Sequence, residues 1–201
     1  MADLIQTIRK YLIGQISPLS TTTLTVADGV STTISVSAEG EITAEMQLRI
    51  EDEEVFVSAV TSDGTKEITV VRGCNGTAGV AHSAAQARII NIFCPVFPDD
   101  YDPDQPAIAF FRRGGAPDRS TPNLRRPSIQ FECYGGSPSA ARETYESLHQ
   151  ALQGMASTDV GTQRILWAQE DAGPQDLVSE DGEGKGWHYV LAFFTISVTN
   201  I

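Results

Sequence analysis

Between Ser17 and Ile92 the chain is written in short alternating runs rich in Thr, Val and Ser, whereas the residues before that stretch repeat at a helical period. Alternation sends successive side chains to opposite faces of a strand, while spacings of three and four build one stripe of a helix, so the two textures demand different elements. Before the change, Leu4, Ile5, Ile8, Leu12 and Ile16 form such a stripe, which predicts an amphipathic helix over residues 3–16 behind Asp3 as its cap. After it, strands are expected at Thr22–Ala27, Thr32–Ser37, Met46–Glu51, Glu54–Val60, Glu67–Arg72 and Ala87–Ile92. Asp28-Gly29, Glu39-Gly40 and Asp63-Gly64 punctuate them as turns, glycine supplying the positive φ that tight turns require. Residues 18–92 thus read as a small all-β, sandwich-like module.

The texture changes again at PVFPDDYDPDQP, whose prolines cannot donate to a sheet interior and whose aspartates repel one another, so it reads as an exposed linker. Strands follow at Ala107–Phe111 and Ser128–Tyr134, with Ile129, Phe131 and Cys133 on one face, separated by the polar excursion RRGGAPDRSTPNLRRP. Ser137 then Pro138 make an N-cap with proline at the first helical position. Ala141, Tyr145, Leu148 and Leu152 carry that helix to Gly154. Arg164–Trp167 and Trp187–Val198 are two more strands, joined by an acidic connection over residues 170–186. The expected fold class is α+β: an antiparallel sheet with two helices on one face, built from residues 1–16 and 93–201, with residues 18–92 inserted after the first helix. The first helix should then pack beside the second, and Ile129, Phe131, Tyr145, Leu148 and Leu152 should be buried together.

Composition narrows the function classes. The 201 residues are 41% hydrophobic and 20% charged, the balance of a folded globular chain rather than a disordered one. Fourteen Lys and Arg against 26 Asp and Glu leave a formal charge of −12, which repels phosphate backbones and argues against nucleic-acid binding as the main task, though a passive lining for passing DNA remains compatible. No apolar run reaches the roughly 18 residues of a membrane span, and MADLIQTIRKYL lacks the pattern of a signal peptide, so a cytosol-like site of synthesis and no membrane partner are expected. Cys74, Cys94 and Cys133 are odd in number and have no C-x-x-C spacing, and read as small buried hydrophobes.

The block FFRRGGAPDRSTPNLRRPSIQFECYGGSPSAARETYESLHQALQGM, a strand, a basic loop, an alternating strand and an amphipathic helix, resembles the tail terminator and neck proteins of long-tailed bacteriophages. WHYVLAFFTISV is similar to that family's final strand, and the resemblance extends over residues 1–16 and 93–201. LRIEDEEVFVSAV with VVRGCNGTAGVAHSAAQARI resembles a second phage signature, a β module with an R-G-x-x-G-T-x-x-x-x-H element carried here by Arg72, Gly73, Gly76, Thr77 and His82. The glycine usual shortly after the histidine is replaced by Ala85 and Gln86. The resemblance implies a structural virion protein, assembled in the host cytoplasm, forming a ring, commonly a homohexamer, that caps the tail tube and meets the neck or connector protein. It implies no enzymatic step. A head-side connector or neck stopper, and an accessory host-adhesion protein, are the neighbouring readings.

The residues themselves assemble no catalytic set. His82, His149 and His188 have no metal-ligand spacing, no phosphate-cradle or hydrolase motif occurs, and no cofactor or metal is expected. Asp100, Asp102 and Asp104 imitate the first ligands of a calcium loop, but Gln105 stands where its glycine belongs and Phe111 where its glutamate belongs. Arg72 and His82 are expected only to fasten the glycine turn. Sugar binding would favour exposed aromatics in the β module, which holds Phe56 and no Trp or Tyr. The informative pattern is charge: Arg112, Arg113, Arg119, Arg125 and Arg126 crowd one predicted loop, and Glu170, Asp171, Asp176, Glu180, Asp181 and Glu183 another. Opposed patches suit pairing between subunits of a ring, where two independently solvated loops would have no partner.

Overall fold

The computed structural model describes residues 4–16, 21–25, 31–36, 42–61, 67–82, 86–89, 91–94, 105–115, 123–180 and 186–201. Asp3, the three turn pairs and the Asp100, Asp102 and Asp104 series lie outside the described residues, as do Arg119, Asp181 and Glu183. The chain is a mixed α+β protein whose described residues divide into two compact units, one within residues 18–91 and the other formed by the first helix and the described residues from Ile92 onward.

In the unit of residues 18–91, β1 (Thr21–Thr25), β2 (Thr33–Val36), β3 (Gln47–Ile50), β4 (Glu53–Val60), β5 (Glu67–Val71) and β6 (Gln86–Ile89) are all antiparallel to their neighbours. Strands β2, β5, β4 and β3 form a curled sheet, and β1 and β6 join its two ends so that the strand path closes into a barrel. The sequence reading expects a sandwich-like stack instead. Short strands with one buried face satisfy their edges more completely by closing the path than by stacking two open sheets. Ile34, Leu48, Ile50, Val55, Val57 and Ile68 are buried in this unit, alternating along their strands as the sequence period requires.

The other unit carries α1 (Leu4–Gln15), β7 (Ile92–Phe93), β8 (Ala107–Gly114), β9 (Leu124–Arg125), β10 (Ser128–Gly135), α2 (Pro138–Leu152), β11 (Thr158–Val160), β12 (Gln163–Glu180) and β13 (Gly186–Asn200). Ser137, in an extended conformation, accepts from the Ala140 N–H at 3.2 Å and starts α2 with Pro138 in the first turn. The sheet runs β11-β12-β13-β10-β8-β7, with β9 paired to β13 beyond the end of β10. It is mixed rather than purely antiparallel, because β7 lies parallel to β8. One core joins Leu4, Ile8, Tyr11 and Leu12 of α1 and Ala141, Tyr145, Leu148 and Leu152 of α2 to Ile129, Phe131, Cys133, Val190, Ala192 and Phe194. Tyr11 donates to the Ala151 carbonyl at 2.8 Å, and Thr7 to the Gln163 side chain at 2.7 Å, which ties α1 to α2 and to β12.

The principal departure from the sequence reading lies in β12. The acidic connection over residues 170–186 is, as far as Glu180, a strand, and β12 and β13 pair from Gln163↔Asn200 to Glu180↔Gly186. Likewise the basic excursion is not wholly loop: Arg112 and Arg113 end β8, and Arg125 ends β9.

Candidate functional site

Two groupings collect the candidate residues, one in each unit. In the barrel unit, Gly73 at φ 62° and Gly76 at φ 78° turn the chain out of β5 through a short 3-10 turn at Cys74–Gly76. This is left-handed backbone that a side chain resists. Thr77 closes the turn by donating to the Cys74 carbonyl at 2.8 Å, and accepts from the Glu54 N–H at 3.0 Å. The turn aims Arg72 and His82 at one buried carboxylate, Glu53, which is 0% exposed. Arg72 binds it in two-pronged fashion, Nε to Oε1 at 2.7 Å and Nη2 to Oε2 at 2.6 Å. The Gly73 N–H reaches Oε1 at 3.0 Å, the Val80 N–H reaches Oε2 at 3.1 Å, and His82 Nε2 lies 2.8 Å from Oε2. The other imidazole nitrogen, Nδ1, lies 2.9 Å from Glu51 Oε2.

Burial by itself pushes the Glu53 carboxyl up, but the hydrogen bonds from Arg72, His82, Val80 and Gly73 outweigh it and hold the group at about 2. An ionised carboxylate surrounded in this way has no lone pair left for a substrate. The cluster is a fastening between β4 and the chain that follows β5, with Arg72 also donating to the Ser31 carbonyl at 3.1 Å. Glu53 is the residue that sequence reading missed. The signal was present: an Arg and a His ten residues apart in one module, and an acidic residue opening an earlier apolar strand with no cation beside it in sequence.

In the sheet unit, two of the candidate arginines lie on β8, two beside β13, and the acidic candidates that are described on β12. Arg112 and Arg113 stand exposed at the end of β8. Gly115 follows in a conformation (φ 112°) in which an added Cβ would overlap the Arg126 carbonyl, so only glycine lets the end of β8 approach the Arg126-Pro127 backbone. Arg113 donates to Gln130 and lies with its guanidinium 5.2 Å from the centre of the Phe111 ring. Gln130 donates to Glu132 at 2.7 Å, as does the Tyr134 hydroxyl at 2.7 Å, and Tyr134 stacks on Tyr189. Burial, then the bond to Glu132, pushes the Tyr134 phenol up. Arg125 occupies the column next to β13, pairing with Val198, and the Arg126 guanidinium lies 5.9 Å from the Trp167 ring centre. These two arginines are therefore not on the β8 edge.

Across the sheet, β12 carries the acidic residues, and their contacts lie within the chain. Glu170 accepts from the Tyr145 hydroxyl at 2.9 Å, with His149 Nε2 at 3.7 Å. Burial, followed by that bond, pushes the Tyr145 phenol up. Asp171 accepts from Thr195 at 2.8 Å, and Asp176 pairs with Arg142. Glu180 ends the strand. None of these contacts is to one of the five arginines.

Among the described residues no three His, Cys, Asp or Glu side chains stand together as a metal site, and no cysteine is bonded to another. Cys133 is fully buried and its thiol is pushed up by burial, the reverse of an activated nucleophile. No helix among the described residues is long and apolar enough to cross a membrane. In comparisons with known proteins, the chain matches no family model and no curated protein.

Proposed function

We propose that this protein is a structural virion subunit that forms a ring, caps the tail tube of a long-tailed bacteriophage and joins it to the head-side neck or connector. The observation that carries the reading is the separation of opposite charges to the two sides of one sheet, with Arg112 and Arg113 on β8 and Glu170, Asp171 and Asp176 on β12. A subunit with complementary faces on opposite sides makes head-to-tail contacts, and such contacts close into a ring when the rotation between neighbours is right. The formal charge of −12 suits a lumen through which DNA slides without being held. The saturated state of Glu53 supports a fastening role for the Arg72 and His82 cluster in place of a chemical one. The expected assembly is a homohexamer in the virion, put together in the host cytoplasm, with tail-tube protein and neck or connector protein as partners and no cofactor.

The test is sedimentation mass together with the length of tubes grown from purified tail-tube protein. A ring that arrests tube growth supports the reading. A protein that is monomeric at every concentration and leaves tube length unchanged overturns it, and a ring that binds connector but not tube moves it to the head side of the joint.

A further inference from the structure

Among the described residues of this unit, the outer edge of β12 is a long run of sheet backbone without a paired strand. Strand β11 covers β12 only at Gln163–Ile165, and among the described residues no strand pairs with the outer edge from Leu166 to Glu180. At the opposite side, β7 covers β8 only at Ile108 and Ala109, leaving Phe110–Gly114 without an outer partner among the described residues. Two such edges on one sheet present rows of N–H and C=O groups ready to accept another strand.

We propose that these two edges meet between neighbouring copies of this chain, the β8 end of one subunit adding to the β12 edge of the next. The inference rests on the ring reading and deepens it by naming the junction. Three observations support it. The first is direction: β12, β13, β10 and β8 alternate, each antiparallel to the next, so β8 runs opposite to β12. A head-to-tail repeat that continues the sheet therefore makes an antiparallel junction, the more stable pairing.

The second is level. Arg112 pairs with Ile129, Ile129 with Phe194, and Phe194 with Glu170, so Arg112 and Glu170 lie in one row across the sheet. The row of Gly114, Ser128, Thr195 and Gln169 is adjacent to it. Phe111 reaches Ala172 in the same way, through Gln130 and Phe193, so the uncovered part of β8 is level with Gln169–Ala172 of the uncovered part of β12. The third is charge. Arg112 shares the helix-side face with Glu170, while Arg113, bonded to Gln130, shares the opposite face with Asp171, bonded to Thr195. On both faces the basic edge would meet an acidic one.

The irregularities of β12 fit this occupant. The bulge between Glu170 and Ala172 falls within the stretch level with Phe111 and Arg112, and the one between Ala172 and Gln175, with Pro174 in it, ends that stretch; both bend the strand, as sheets that curve toward closure do. The acidic residues repel a second β12, which disfavours a two-fold pairing of like edges and leaves the basic β8 edge as the matching partner.

The test compares wild type with Arg113→Asp, Asp171→Arg and the double variant by sedimentation, with Arg112→Glu as a probe of the other face and near-ultraviolet dichroism as the folding control. Each single reversal is expected to raise the dissociation constant about ten-fold or more, and the double variant to recover most of that loss. Backbone pairing is read separately: amide exchange at Gln169–Ala172 and Phe111–Gly114 should slow on assembly. Rings that persist unchanged in all single variants, a double variant no better than the singles, or edge amides that exchange alike in monomer and ring each overturn the junction while leaving the ring reading intact. A wild type that never assembles overturns both.

Discussion

Glu53→Gln is the most exacting test of the cluster in the barrel unit. It removes the charge from a side chain that is 0% exposed and turns an amide toward groups that all donate: Arg72, His82 and the N–H groups of Gly73 and Val80. In the wild type the carboxyl is held at about 2 against an ordinary 4.5, a difference worth roughly 3 kcal/mol at about 1.4 kcal/mol per unit. Because the folded value is the depressed one, this contribution is fully present above pH 4.5 and is lost as the pH falls from 4.5 to about 2. At neutral pH the variant should therefore lose about 3 to 5 kcal/mol of local stability, the range for breaking a buried charged pair. The gap to wild type should shrink toward pH 2. Tryptophan fluorescence is blind to this, since Trp167 and Trp187 both belong to the other unit. Amide exchange at Gly73 and Val80, whose N–H groups bond Glu53 directly, is the right readout. Equal protection in the two proteins at neutral pH, or a gap that persists undiminished at pH 2, would refute the reasoning.

Other outcomes follow from the sheet unit. Phe131→Ala should lose roughly 3 to 5 kcal/mol by tryptophan-monitored urea unfolding, since the ring is buried 5.2 Å from Phe110 and 5.7 Å from Phe194. Gly115→Ala should cost about 2 kcal/mol or more, from positive φ and overlap with the Arg126 carbonyl, measured the same way. Tyr145→Phe should remove one late step from the phenolate absorbance titration. The raised Tyr145 phenol contributes stability that is present below pH 10 and lost as the pH climbs past it, so the variant should unfold less steeply in base. Replacing residues 18–91 with a short Gly/Ser bridge, while keeping Ile92 for its pairing to β8, should leave a cooperatively folding core, because closing a longer or shorter surface connection changes entropy only slowly.

The elements easiest to read from sequence were those with a side facing the core. Helix α2 declared itself through Ser137, Pro138 and the stripe Ala141, Tyr145, Leu148 and Leu152, because capping and burial act on adjacent residues and leave a local mark. Strand β10 showed its two faces through Ile129, Phe131 and Cys133, all buried. The fastening at Glu53 was half legible: the turn glycines and the basic partners stand together in sequence, but the carboxylate lies 19 residues from Arg72, and only folding brings them together. The parallel pair of β7 with β8 left no signal, because a two-residue strand has no period to show.

The concealment of β12 has a physical cause that bears on its role. A strand is recognised by alternation because one face is buried, yet from Glu170 to Ser179 no residue of β12 is fully buried, so burial imposed no apolar period on the segment. Its strand character comes instead from β13, whose own alternation of Val190, Ala192, Phe194, Ile196 and Val198 is firmly buried and whose backbone supplies the hydrogen-bond ladder. Side-chain anchors then hold β12 to its unit at intervals: Glu170 to Tyr145, Asp171 to Thr195, Asp176 to Arg142. Each of these three anchors uses a carboxylate. In the proposed junction the same carboxylates would repel a second copy of this edge and attract a basic strand end. Acidity that reads as solubility along the sequence would then, in the proposed junction, decide which strand pairs next on this edge.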